Sequence, residues 1–445
     1  MIEFFNLFFQ ILFFVFLTYF PINMYLTNNT FRKISFAEIL SINSLFFLSL
    51  LLILSFFKFN LLIVMYIITI IYILFFLNFL RNFTRDKKRI NQFNLKKNYI
   101  LKLFLFFLLI CVFVDSAAQF GLEWDGFLWK KKVNFFYNGG YFYELSQTNE
   151  AVTGKINWNN YPHLGAYVWA FFWKNSFLNY EYIGRLFHDY IYVISLLAIV
   201  STFRNLSDFK KIFLLFALYI ITNNGNFSGY QDYLIFSILT IFASILLQSH
   251  FFKKKPTILY LTYLLAGIIL PWIKTEGAVY SIFLIMVFFI YEYFLLKKNN
   301  NLKIYLIISL IIIFSIFFRV FTNYFILEES TILQTKYNFK DFDFLLILNR
   351  FYYIFFYLVK FSFKHPILLI NLFLLIIAIF YFKKFEILKI FFTFFVLNYL
   401  FIFTVYLTTS ADYIWHIQTS LNRIMLQTSG FYFVFFSLFW NKKVL

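Results

Sequence analysis

Cysteine is nearly absent. The sole cysteine in 445 residues, Cys111, lies in an apolar run, which excludes an intrachain disulfide and a paired-thiol redox motif. Charge is scarce as well: 13% of residues are charged against 62% hydrophobic, with a mean hydropathy of +0.77, and that balance excludes an ordinary soluble domain. Acids are outnumbered, 20 against 39 Lys and Arg, for a net charge of +19. The basic residues sit mostly in short connectors between apolar runs, so the positive-inside rule accounts for them and no nucleic-acid partner is indicated. The chain has no Walker loop, dinucleotide fingerprint, His-Glu-x-x-His or Ser-centred elbow. It also lacks a cleavable leader: Glu3 stands where a basic region belongs and no small-residue cleavage site follows, so the first apolar run reads as a retained span. The 74 Phe are spread along the whole chain as a compositional bias, and no single one carries a signal.

What is there is a succession of apolar runs of span length. They fall at about 4–22, 38–57, 61–80, 99–117, 182–203, 209–223, 232–252, 257–272, 277–296, 303–325, 366–382, 387–407 and 424–440, predicting an all-α polytopic membrane protein with about 13 transmembrane helices. The connector 81–98 carries seven Lys or Arg and is expected to be cytoplasmic. Alternation then puts Arg32/Lys33, Arg204/Lys210/Lys211, Lys253–Lys255 and Lys297/Lys298/Lys303 on the same side. Residues 343–361 are apolar enough to span but contain Arg350 and Lys360; read as an interfacial amphipathic helix, they leave Lys383/Lys384 and Lys442/Lys443 inside. Most acids then gather on or near the external side.

One polar island, 118–181, interrupts this pattern and is expected to be external. It opens with Trp124-Asp125-Gly126. Helical spacing after Gly126 and the Gly139-Gly140 stop predict a short surface helix with Asp125 at its start. A carboxylate there either caps the helix or serves as a base or metal ligand, and position leaves both open. Further on, Pro162 of Tyr161-Pro162-His163 predicts a helix start, with a helix running through Trp173. Three more polar stretches fall on the same side: Gly229-Tyr230-Gln231-Asp232, Lys274-Thr275-Glu276-Gly277, and His416 to Arg423. The Lys274/Glu276 pair reads equally as a self-neutralising structural element. Arg423 suits a phosphate or snorkels to lipid head groups.

Taken together, these stretches resemble bacterial members of the GT-C glycosyltransferase superfamily, similar to the dolichyl-phosphate-mannose-protein mannosyltransferase and aminoarabinose transferase-like group. The likeness rests on Trp124-Asp125-Gly126 with Trp129-x-x-Lys132, Tyr161-Pro162, Gly184-Arg185-Leu186, Gly-x-x-Asp ending at Asp232, Lys-x-Glu-Gly from Lys274, and His-x-x-x-Ser-x-x-Arg from His416 to Arg423. It covers residues 99–440, so 1–80 stand as extra N-terminal helices before a catalytic domain, 81–445, with its external loop at 118–181. The chain departs from the pattern in carrying one motif acid, unless Glu123 is the second. The resemblance implies transfer of a sugar from a polyprenyl-phosphate donor to a glycan, lipid or protein acceptor, at the external (periplasmic) face of the cytoplasmic membrane. It implies Asp125 as catalytic base, with Lys274 and Arg423 at the phosphate. It further implies Trp124, Trp129, Lys132, Tyr161, His163 and His416 as substrate contacts, and Asp232 and Glu276 sharing a divalent cation (Mg or Mn) or meeting sugar hydroxyls. The alternatives are a lipid-linked oligosaccharide transporter or flippase, and an O-antigen polymerase or ligase. Against a transporter, Asp189, Glu292 and Arg319 are the few ionisable residues within or near the ends of spans.

Overall fold

A computed structural model describes residues 2–19, 35–85, 122, 124–147, 161–176, 179–222, 231–252, 256–296, 302–322, 344–409 and 412–441. The expected span 99–117, Cys111 and Gly229-Tyr230 lie outside the described residues, as do 118–121, 123, 148–160, 177 and 178 of the island. The regular elements are all helical. They are α1 (Ile2–Tyr19), α2 (Phe36–Ser55), α3 (Leu61–Arg85), α4 (Trp124–Tyr137), α5 (Leu164–Lys174), α6 (Glu181–Thr202), α7 (Asp208–Thr222), α8 (Asp232–Phe252) and α9 (Pro256–Ile269). There follow α10 (Thr275–Ile290), α11 (Leu302–Phe321), α12 (Phe344–Lys364), α13 (Pro366–Tyr381), α14 (Leu388–Thr408), α15 (Tyr413–His416), α16 (Asn422–Val434) and α17 (Phe436–Trp440).

Among the described residues, eight helices are long and apolar enough to cross a membrane: α2, α3, α6, α8, α10, α11, α12 and α14. Shorter apolar helices lie in α1, around α9 and in α13. The polytopic helical class therefore holds; the count of thirteen is not confirmed, and one expected span, 99–117, lies outside the described residues. Two other expected spans are shortened for local reasons. Leu270–Trp272, with Pro271, tightens into a 3-10 turn where the expected span 257–272 ends, and the expected span 424–440 breaks at Phe435 into α16 and α17.

α8 lies at the centre, packed between α6 and α16. Small residues set that contact: a Cβ on Gly430 of α16 would fall 2.0 Å from Thr240 Oγ1 of α8. α6 is buried along nearly its whole length, whereas α3, α11 and α12 turn large apolar side chains outward, such as Tyr66, Leu310 and Phe344. In water such surface would cost about 25 cal/mol per Å², so an apolar surround is the physical setting in which this fold is stable.

The two ends of the bundle can be told apart by contacts. At one end, the C-terminal turns of α2 and α11 and the turn after α9 meet the starts of α8 and α10, together with α4 and α5. At the other, Asn441 donates to the Thr202 carbonyl at 2.8 Å, Gln248 donates to Ser201 at 2.7 Å, and Phe439 packs on Tyr381 and Phe385. The Lys383/Lys384 turn therefore shares an end with the close of α6 and α8.

α12 forms as one continuous helix over the segment read as interfacial. It satisfies the length and hydropathy of a span, yet its side-chain contacts gather at one place. Arg350 donates to the carbonyls of Leu407 and Thr409 at 2.7 and 2.9 Å, Phe351 stacks on Phe403, Tyr353 meets Tyr413, and Tyr357 accepts from Gln418 at 2.5 Å. These partners belong to the last turns of α14 and the residues just after it, so the contacts tie α12 to the end of the bundle where α14 finishes and α13 begins.

Candidate functional site

The island's helix forms as its sequence dictates. α4 begins at Trp124 and stops at Gly139, whose φ of 94° only glycine adopts without strain, with Gly140 N donating back to the Phe135 carbonyl at 3.0 Å. The structure describes the backbone but not the side chains of Trp124 and Asp125. α5 starts at Leu164, two residues after Pro162.

These pieces close on one another. Lys132 is buried and donates to the Tyr161 carbonyl at 2.6 Å, tying α4 to the turn before α5, and Trp129 meets Tyr161 edge-on. His163 is buried against Phe56, Phe136, Phe142 and Trp272. Its Nε2 lies 2.8 Å from Ser55 Oγ, and Ser55 gives its own hydroxyl hydrogen to the Leu52 carbonyl. The Ser55 oxygen must therefore accept, which fixes the proton of His163 on Nε2. Burial, then the charges of Arg319 and Lys132, hold the imidazole well below its ordinary pKa, so it is neutral. Arg319 itself lies over the Trp272 ring at 5.5 Å.

Two residues beyond Trp272, the chain enters a second and different environment. Lys274 is extended (φ −151°, ψ 160°), turning away from the aromatic knot just before α10 begins. Its Nζ is 2.9 Å from Asp232 Oδ1 at the start of α8 and 3.5 Å from Glu276 Oε1. Gln427 of α16 donates to the same Asp232 oxygen at 2.5 Å. The Arg423 guanidinium, one turn earlier on α16, lies within electrostatic reach of both Asp232 and Lys274. Burial alone would lower the Lys274 pKa, but the Asp232 and Glu276 carboxylates more than reverse it, and the pKa stands above its ordinary value. Gly277 allows this arrangement: a Cβ there would lie 1.9 Å from the Leu270 carbonyl oxygen, so the first turn of α10 can press against the preceding turn only without one.

Three of the stretches read from the sequence, carrying Asp232, Lys274/Glu276 and Arg423, thus converge in one buried ionic cluster. The island supplies its neighbour, reaching Trp272 through His163. His416 stands at the edge, with Nδ1 3.0 Å from Thr409 Oγ1 and its ring 5.1 Å from that of Tyr406. Trp129, Lys132 and His163 are engaged in packing the island onto the bundle. Two residues escaped the sequence reading. Gln427 is four after Arg423 and Tyr280 four after Glu276; a polar group one helical turn beyond a named residue was the available signal. A π-helical turn, Ile417–Leu421, immediately precedes α16, and such turns recur at functional sites.

The Lys274 ammonium already supplies positive charge to both carboxylates and so competes with a divalent cation for Asp232 and Glu276. Against known proteins, the chain matches no family model, no curated protein and no solved structure.

Proposed function

We propose that this chain is an integral-membrane glycosyltransferase that moves a sugar from a polyprenyl-phosphate donor to a glycan, lipid or protein acceptor at the end of the bundle holding the ionic cluster, the external face of the cytoplasmic membrane. The observation that supports it is the convergence of Asp232, Lys274, Glu276 and Arg423 from three sequence-distant stretches. Buried carboxylates and cations inside an apolar bundle are costly and are held where a reaction or a ligand needs them. The buried ionisable residues of the spans reinforce this. Arg185, His188 and Asp189 lie in the first turns of α6 and Arg319 at the end of α11, on the side of the cluster, whereas Glu38 at the start of α2 and Glu292 just beyond α10 lie at the far end. A conduction path would distribute such groups along its length.

In the reaction, an acceptor hydroxyl gives its proton to the Asp125 carboxylate and its oxygen attacks the anomeric carbon. The bond from that carbon to the phosphate oxygen breaks, and polyprenyl phosphate leaves with the bonding pair. Arg423 stabilises the charge that develops on the phosphate.

The test is transfer from a radiolabelled polyprenyl-phosphate sugar in membranes containing the intact protein. Asp125→Asn and Asp232→Asn should each lower the rate by about 100-fold or more with insertion unchanged. Full transfer in both variants would sink the reading.

A further inference from the structure

The ionic cluster has a pattern of unmade hydrogen bonds that says what fits it. Asp232 Oδ1 is occupied by Lys274 and Gln427, while its Oδ2 is buried without a hydrogen-bond partner. Glu276 Oε1 faces Lys274, and its Oε2 is likewise buried without a partner. Gln427 gives one amide hydrogen to Asp232 and leaves Oε1 unmet. The Tyr280 hydroxyl, one turn below Glu276 on the same face of α10, has no hydrogen-bond partner and lies within electrostatic reach of Glu276 and Asp232. Three of the four open groups can only accept a hydrogen, and the fourth is a hydroxyl.

Charge narrows the choice further. Two carboxylates face two cations, Lys274 and Arg423, so the cluster is balanced before any ligand arrives. Phosphate brings acceptor oxygens and negative charge to these four groups, and Lys274 is committed between two carboxylates, which leaves the phosphate of the donor to Arg423, one turn before Gln427. An uncharged ligand with several neighbouring hydroxyls supplies the missing donors without disturbing the balance. The Glu276 side chain is 21% exposed against 8% for Asp232 and Lys274, so the way in passes Glu276.

We infer that this cluster binds the neighbouring hydroxyls of an uncharged sugar ring through Asp232 Oδ2, Glu276 Oε2, Gln427 Oε1 and the Tyr280 hydroxyl, with Lys274 an internal counter-ion and not a phosphate ligand. The inference rests on the glycosyl-transfer reading and names the part of the substrate that this site takes.

The experiment uses the full chain in lipid nanodiscs and saturation-transfer NMR. The probes are a panel of free neutral sugars (glucose, galactose, mannose, arabinose and N-acetylglucosamine), with glucuronate and inorganic phosphate as the charged comparisons. At least one neutral sugar should bind, with glucuronate about tenfold weaker and excess phosphate failing to displace it. Tyr280→Phe and Glu276→Gln, each checked for unchanged elution and melting, should weaken the sugar by roughly tenfold. Displacement by phosphate, wild-type affinity in both variants, or no binding by any sugar of the panel would overturn the inference. The two readings fail separately. Sugar binding that responds to Tyr280→Phe in a protein without transferase activity leaves the sugar site standing and removes the enzyme. Transfer activity with phosphate held at Lys274 does the reverse.

Discussion

Removing the Lys274 charge is the sharpest perturbation of the cluster, and the geometry sets its size. At an effective dielectric of ~20, unit charges 2.9 Å apart attract by about 6 kcal/mol and those 3.5 Å apart by about 5 kcal/mol. Most of that attraction offsets the cost of taking three ions out of water, which runs to several kcal/mol each, so the intact cluster adds little net stability. Breaking it is another matter. Lys274→Met leaves two carboxylates facing each other with their shared partner gone, and deletion of one member of a buried pair costs about 3–5 kcal/mol. Asp232→Asn leaves Lys274 with Glu276 as its second carboxylate, so the loss should be smaller. Combining the two removes both members of the closest pair, and the double variant should recover part of the loss, with a coupling of about 2 kcal/mol or more. The assay is thermal melting of the purified protein in one detergent at one pH, run as a double-mutant cycle. Additive effects of the two substitutions would refute the claim that Lys274 serves as a counter-ion.

Other consequences follow from neighbouring residues. The His163 pKa is depressed in the folded protein below its ordinary 6.5, so the unfolded chain binds the extra proton first; stability is fully present above that pH and is lost as pH falls through it, by up to ~1.4 kcal/mol per unit. Melting at pH 7.5 and 5.5 should show His163→Gln losing less than wild type, and equal losses would contradict the assignment. Gly277→Ala would place a methyl 1.9 Å from a backbone carbonyl that no rotamer change can move; we expect a loss of about 1–3 kcal/mol in melting and a fall in transfer, and neither should appear if the turn is loose. Finally, a cysteine at Lys384, in a chain with Cys111→Ser, should resist a membrane-impermeant maleimide added outside cells. Labelling there would mean that α12 crosses the bilayer instead of lying along its surface.

How much of this was legible beforehand depends on whether a feature is local. The start of α4, its stop at Gly139, and the entry to α5 after Pro162 are written in adjacent residues, and they formed where the sequence put them. Span length was less legible, because hydropathy does not register the break at Phe435 or the tight turn at Pro271 that shorten otherwise apolar runs. The site mixes both kinds of information. Lys274 and Glu276 are near neighbours, and their pairing alone reads as self-neutralising structure. What changes the reading is Asp232, 42 residues before Lys274 on α8, and Gln427, 195 residues after Asp232 on α16, for only the packing of α8 between its neighbours brings Lys274 and Gln427 to the same Asp232 oxygen. Sequence could name the acids and cations but not which of their atoms would be left without a partner. This cluster closes its charges and leaves Asp232 Oδ2, Glu276 Oε2 and Gln427 Oε1 open, and those atoms, which no single stretch of sequence identifies, are the ones on which the sugar-binding inference rests.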